Sequence, residues 1–274
     1  LKTNMLSVRK GRIGLKKILV TFQLFISVYL IIAAMVVTKQ ISFMMNKDRG
    51  FNIHNIIYAQ FRSSKEDGNI KDLRNRLLRY PEIENVTISR NIPFHGSEGR
   101  SIDWEGSGED QINARYNWVD DKFLETFQIE LLQGRNFLAE NTSEIRECII
   151  NETALKIFGW EDPIGKTISF SKEDTFTVVG VVKDYHYESL HQSVRPGALM
   201  AQPGIWGIQE NYISARILPG DIPRTLSRIQ NVWDNFMKGY PLEYSFLDSD
   251  YDALYHNEER TGRIFSVFAA LAIG

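Results

Sequence analysis

Residues 18–38 (ILVTFQLFISVYLIIAAMVVT) form an uncharged apolar run that constrains this chain more than any other feature. As a helix rising ~1.5 Å per residue, such a run is long enough to cross a hydrocarbon core of ~30 Å. Its polar groups are Thr21, Gln23, Ser27 and Thr38. Hydroxyls can bond back to their own helix, and Gln23 can face a neighbouring one. A cleaved signal peptide would have an apolar stretch of only ~7–15 residues ending at a small-residue cleavage site. Here the run passes into KQISFMM at residues 39–45 without such a site. A buried helix of a soluble protein is the other alternative. The length and the flanks favour a membrane anchor.

Charge supplies the orientation. Six of the 32 basic residues and none of the 34 acidic ones lie in residues 1–17, which leaves the remainder with an excess of eight acids. Arg9, Lys10, Arg12, Lys16 and Lys17 crowd the N-terminal end of the apolar run. Positive-inside bias then predicts a cytoplasmic basic segment over residues 1–17, a transmembrane helix over 18–38, and residues from 39 onward across the membrane. A second uncharged apolar stretch, residues 264–274, follows Arg260 and Arg263 and reads as the start of a further, truncated span. The polar region between them, residues 39–263, is expected outside the cytoplasm.

That region divides by pattern. Residues 39–49 continue a helical period to Gly50 and predict a stalk helix; residues 249–263 predict a second. Residues 56–61 read as a strand. Asn69 is placed to cap a helix carrying Ile70, Leu73 and Leu77, closed by Pro81, and residues 86–89 form the next strand. Near the other end, residues 212–217 are a strand. Asp221 caps a helix with Pro223 in its first turn, and residues 242–247 return as a strand. Two βαβ halves, residues 50–92 and 208–248, predict an α+β fold: a split βαβ (ferredoxin-like) porter subdomain with helices on one face of its sheet. Residues 93–207 are richer in β structure and turns, and read as an inserted α+β subdomain whose ends lie close together. Within it, Asp120 is placed to cap a short helix, and Asn151 to cap residues 152–158 ahead of a C′ glycine, Gly159. Residues 176–182 predict a buried strand.

Chemistry is thin. A net charge of −2 offers nothing to offset phosphate repulsion, so no nucleic-acid partner is expected. The one cysteine, Cys148, excludes an intrachain disulfide and reads as a small buried apolar residue. His186 and His191 stand five apart, which does not put them on one helical face as zinc sites of the helical type require. A metal site using them with Asp184 stays open beside the reading as a hydrogen-bonded loop. Gly165-Lys166-Thr167 lacks the glycine that a phosphate loop needs five residues earlier, where Trp160 stands. Asp250 and Asp252 have no evident partner base. The expectation is no catalytic, cofactor or metal site.

Taken in order, five stretches resemble a known family: residues 16–27 (KKILVTFQLFIS), 46–52 (NKDRGFN), 127–137 (FQIELLQGRNF), 150–168 (INETALKIFGWEDPIGKTI) and 178–187 (VVGVVKDYHY). They are similar to FtsX-like ABC-transporter permeases with a MacB-like periplasmic core domain, of the Bacteroidetes type. The resemblance implies a permease subunit in the bacterial inner membrane, its main domain periplasmic. It also implies a separate ABC ATPase subunit, because this chain has no Walker motif, and a second permease copy or homologue as dimer partner. A periplasmic adaptor or an exported substrate, such as an antimicrobial peptide or a macrolide, belongs to the same expectation. The expected role is mechanotransmission: stalk helices that continue membrane helices let a tilt in the bilayer move the domain. The residues alone also fit a two-span extracytoplasmic sensor and a membrane-anchored periplasmic enzyme.

Overall fold

The computed structural model of the chain describes residues 4–46, 49–63, 70–138, 146–171, 173–188, 192–201, 209–237 and 240–253, together with residues 260, 264 and 267. Two compact units result, one of residues 1–47 and 252–274 and one of residues 48–251.

The first unit contains α1 (Asn4–Asn46), 43 residues without a break. Within its segment Lys16–Gln40 an 18-residue stretch reaches a mean hydropathy of 2.4, and only 11% of that stretch is buried. Phe22, Phe25 and Tyr29 all face outward. A ring of exposed apolar side chains this long is costly in water and favourable in lipid. Two of its hydroxyls bond within the helix: Ser27 Oγ donates to the Gln23 carbonyl at 2.9 Å, and Thr38 Oγ1 to that of Ala34 at 2.8 Å. Among the described residues, α1 alone is long and apolar enough to cross a membrane. Of the second apolar stretch only Ile264 and Val267 are described, both helical and exposed.

The second unit, the body, is α+β. Its elements are β1 (Ile56–Ser63), α2 (Ile70–Leu77), β2 (Ile83–Ser89), β3 (Glu98–Trp104), β4 (Ile112–Val119), α3 (Phe123–Phe127), β5 (Leu131–Gly134) and β6 (Glu147–Asn151). They continue with α4 (Glu152–Phe158), β7 (Thr167–Ser171), β8 (Asp174–Val182), β9 (Gly197–Ala201), β10 (Gln209–Ile217), α5 (Ile222–Phe236) and β11 (Tyr244–Phe246). One continuous sheet runs through them, in the order β11-β1-β10-β2-β4-β3-β7-β8-β6-β9, with β5 on β8.

The sheet has two regions. In β11-β1-β10-β2 every neighbour is antiparallel. The apolar faces of α2 and α5 cover one side through Leu73, Leu77, Val86, Ile213, Ile229 and Trp233. In the second region β4, β3, β7, β8, β6 and β9 follow one another, and the parallel pairing of β9 with β4 closes them into a ring. Closure removes exposed edges and gives the strands an interior. Ile102, Cys148, Ile150, Ile168, Val178 and Met200 form its core. Among the described residues, the strands of the two regions pair at Ser89 with Val119.

Local signals explain the caps. Asn151 Oδ1 accepts from Ala154 N at 3.0 Å, and Gly159 ends α4 at φ 67°. Asp221 accepts from Arg224 N at 3.1 Å, with Pro223 in the first turn of α5. Asp120 does more than lead into α3: the residue directly preceding that helix is Lys122, whose N–H donates to Asp120 Oδ1 at 3.0 Å. Asp120 Oδ2 also ties α2 to β2, accepting from Arg74 Nη1 at 2.9 Å and from Ile88 N at 3.0 Å. Asn69 lies outside the described residues.

Candidate functional site at the neck of the body

The chain enters the body on residues 49–55 and leaves it on the helical residues 247–251. Both segments converge on one cluster of side chains, built from elements far apart in sequence.

On the entry side, Gly50 has φ 76°, and a Cβ there would sit 2.2 Å from the Asp184 carbonyl oxygen and 2.7 Å from Tyr185 Cα. Only glycine fits this conformation at this approach. His186 N donates to the Arg49 carbonyl at 2.9 Å. Phe51 is buried, its ring 5.2 Å from Phe94, 6.3 Å from Tyr185 and 6.4 Å from Phe127. Asn52 N donates to the Phe127 carbonyl at 2.9 Å. Arg216, on β10, is 3% exposed. Its guanidinium donates to the carbonyls of Thr126 at 2.7 Å, His54 at 2.9 Å and Asn52 at 2.9 Å. Burial pulls its pKa below the ordinary arginine value, yet three carbonyl acceptors replace the lost water.

On the exit side, Leu247 and Tyr251 are fully buried. The Tyr251 ring lies 4.9 Å from Phe94, and the Arg49 guanidinium stands 4.3 Å above its face, a cation–π contact that links exit to entry. On the residue before it, Asp250 Oδ2 accepts from the Tyr58 hydroxyl, and His95 Nε2 lies 3.0 Å from that hydroxyl and 3.5 Å from the carboxylate. Burial, then Asp250, pushes the Tyr58 pKa well up. Burial lowers the His95 pKa, against the pull of Asp250.

A second layer positions the loop that holds Gly50. Asp184 accepts from Thr153 N at 2.9 Å and from Thr153 Oγ1 at 2.7 Å, and Asp184 N donates to Glu152 Oε2 at 3.1 Å. The N-terminus of α4 thereby fixes residues 184–187. Four of the five stretches that carry the family resemblance, residues 46–52, 127–137, 150–168 and 178–187, therefore meet at the neck.

The Tyr58 hydroxyl donates to the Asp250 carboxylate, and its pKa is pushed well up by burial and then by that carboxylate. A cleft of about 320 Å³ beside the neck is lined by Pro93, Ser97, Tyr185 and Tyr187. Its one cation, Arg115, pairs with Glu188 at 3.0 Å. Among the described residues no group of His, Cys, Asp and Glu is arranged to hold a metal. His186 is buried in the neck, while His191 lies outside the described residues. Cys148 is fully buried, and burial pushes its thiol pKa up. The five basic residues singled out for orientation, Arg9, Lys10, Arg12, Lys16 and Lys17, all fall on α1, with Lys16 and Lys17 exposed.

Tyr58, His95 and Arg216 were not anticipated from sequence. Arg216 had a signal: in residues 212–217 (YISARI) it shares one strand face with Tyr212 and Ser214, opposite Ile213, Ala215 and Ile217. A charge at the end of a short alternating strand marks a buried polar face. His95 sits in a loop and had none.

A family model described as the MacB-like periplasmic core domain matches residues 18–228. Among solved structures, the periplasmic region of MacB from Actinobacillus actinomycetemcomitans is 18% identical, with a TM-score of 0.51 over 77% of this chain and 97% of its own. The extracellular domain of the noncanonic ABC-type transporter YknZ from Gram-positive bacteria is 14% identical, with a TM-score of 0.46 over 69% of this chain and 98% of its own. No protein of curated function matches the chain.

Proposed function

Because the chain belongs to the family of the MacB-like periplasmic core domain, we propose that it is part of the permease subunit of an ABC transporter, and that its body is moved by the helices on either side of it. The body then lies in the periplasm and α1 is anchored in the inner membrane, with the five bases of its first half on the cytoplasmic side. ATP hydrolysis belongs to a separate ABC ATPase subunit, and a second permease copy or homologue completes the assembly. Export of a substrate such as a peptide or macrolide, through a periplasmic adaptor, is the work this motion serves.

The carrying observation is the neck. Gly50, Phe51, Phe94, Phe127, Tyr185 and Tyr251 join both chain ends to elements from across the body. A displacement of either end therefore reaches packed side chains rather than a slack linker, which is what mechanotransmission requires. The strand order β11-β1-β10-β2, with α2 between β1 and β2 and α5 between β10 and β11, supports a porter subdomain of two interleaved βαβ units. The six-stranded ring between them supports residues 93–207 as its insertion, and the pairing of Ser89 with Tyr212 brings the ends of that insertion together. The unbroken α1, running on to Asn46 past the apolar segment, supports a stalk over residues 39–49.

Inserting Gly-Pro beside Phe43 breaks the helix between span and neck. In membranes containing the co-purifying ATPase, the insertion is expected to abolish stimulation of ATP hydrolysis by the permease and the associated export, while the body stays folded by tryptophan emission. Normal coupling in that variant overturns the proposal.

A further inference from the structure

Arg49 is the first described residue of the body and Tyr251 the last, and their side chains meet. The Arg49 guanidinium stands 4.3 Å above the centre of the Tyr251 ring. Each partner is also held from its own side by a separate element. The Arg49 carbonyl accepts from His186 N at 2.9 Å, and Gly50 beside it packs on the Asp184 carbonyl in the loop after β8. Tyr251 is 1% exposed, its ring 4.9 Å from Phe94 in the loop after β2. The contact therefore joins two side chains whose backbones are already fixed, so little freedom is lost in forming it. A cation over a ring face is attracted more strongly as the pair leaves water, by about two- to thirtyfold in an opening equilibrium. Arginine keeps its charge at every physiological pH, so the contact does not titrate.

We propose that Arg49 and Tyr251 form a clasp that makes the entry and the exit of the body one mechanical unit, with Arg49 as its positioning residue. Each segment supplies one half of a shared contact, so opening either segment forfeits it. By linkage, the contact stabilises residues 49–55 and residues 247–251 against opening by the same factor in both directions. A displacement arriving at one chain end is then shared with the other, and the two ends act as coupled levers instead of independent tethers. The alternative is that Tyr251 fills the core beside Phe94 and Arg49 only covers it. The two readings differ in charge dependence: cover needs the aliphatic stem, whereas the clasp needs the cation. Phe94 also lies 5.2 Å from Phe51, a second shared neighbour that a substitution at Arg49 leaves in place. The clasp rests on the neck geometry alone; its service to force transmission rests on the proposed function.

The test reads attachment, not transport. Amide-exchange protection is measured on the full chain in detergent at pH 7.5, with the buried β8 segment 178–182 as internal reference. Arg49→Met keeps an unbranched stem over the ring and removes the charge. It is expected to lower protection at residues 247–253 by about two- to thirtyfold, although the substitution lies in the other segment, with β8 unchanged. Tyr251→Leu is expected to lower protection of the Asn52 amide, which bonds to the Phe127 carbonyl. In the double variant the exit-side effect of Arg49→Met should shrink to less than about twofold, because its partner is already gone. If Tyr251→Leu does not fold, Arg49→Lys decides: it returns a cation to the ring, so exit protection must lie between the parent chain and Arg49→Met. An unchanged exit in Arg49→Met, an unchanged Asn52 amide in Tyr251→Leu, a full Arg49→Met effect in the double variant, or Arg49→Lys no better protected than Arg49→Met overturns the clasp. No ATPase enters the measurement, so the clasp and the Gly-Pro insertion fail separately.

Discussion

Residues 49–55 and 247–251 bury Phe51 and Tyr251 against the same aromatic cluster, yet they are held by different bonds. The entry is fixed by backbone: His186 N to Arg49 O, Asn52 N to Phe127 O, a glycine pressed against the Asp184 carbonyl, and a guanidinium on three carbonyls. No group in that set changes charge in the physiological range, because arginine stays protonated. The exit is fixed by side chains: Leu247 and Tyr251 by packing, Asp250 by a phenol and an imidazole. The difference separates an attachment made by backbone from one made by side chains.

The largest effect that tests this contrast is at Gly50. Gly50→Ala must adopt φ 76° and displace either its own strand or the Asp184 carbonyl, a combined cost of about 3–5 kcal/mol. All five tryptophans lie within residues 48–251, so the urea midpoint of tryptophan emission reports the body in the full chain. Arg216→Met comes next. It strips the carbonyls of Asn52, His54 and Thr126 of their donor, at about 3 kcal/mol once the recovered desolvation of the guanidinium is allowed for. Both losses should be the same at pH 7.5 and 5.5. A loss at Arg216 that varied with pH would break the distinction between the two attachments.

The legibility of these parts in the sequence follows their range. Features decided within a few residues could be read: the apolar run on α1, the caps at Asn151 and Asp221, the burial of Cys148, the strand character of residues 176–182. The mixed α+β class followed from the alternation of such elements. Asp120 shows where local reading stops: beside its bond to Lys122 N, its carboxylate pairs with Arg74, 46 residues away in sequence. The strands β5, β6 and β9 were not read, since β6 and β9 are buried on both faces and lack the alternation that marks a half-exposed strand. The neck was invisible for a related reason. Its stretches could be quoted one by one, but only the pairing of the sheet brings residue 50 to 184 and residue 58 to 95 and 250.

The smallest expected effect sharpens the comparison most. Tyr58→Phe leaves the ring packing against His95 and Tyr212 and removes only the hydroxyl that donates to Asp250. At pH 7.5 the lost bond costs about 1 kcal/mol at the exit segment, an order that amide exchange of residues 247–253 resolves. The entry, which has no bond to Tyr58 in its set, should keep its protection.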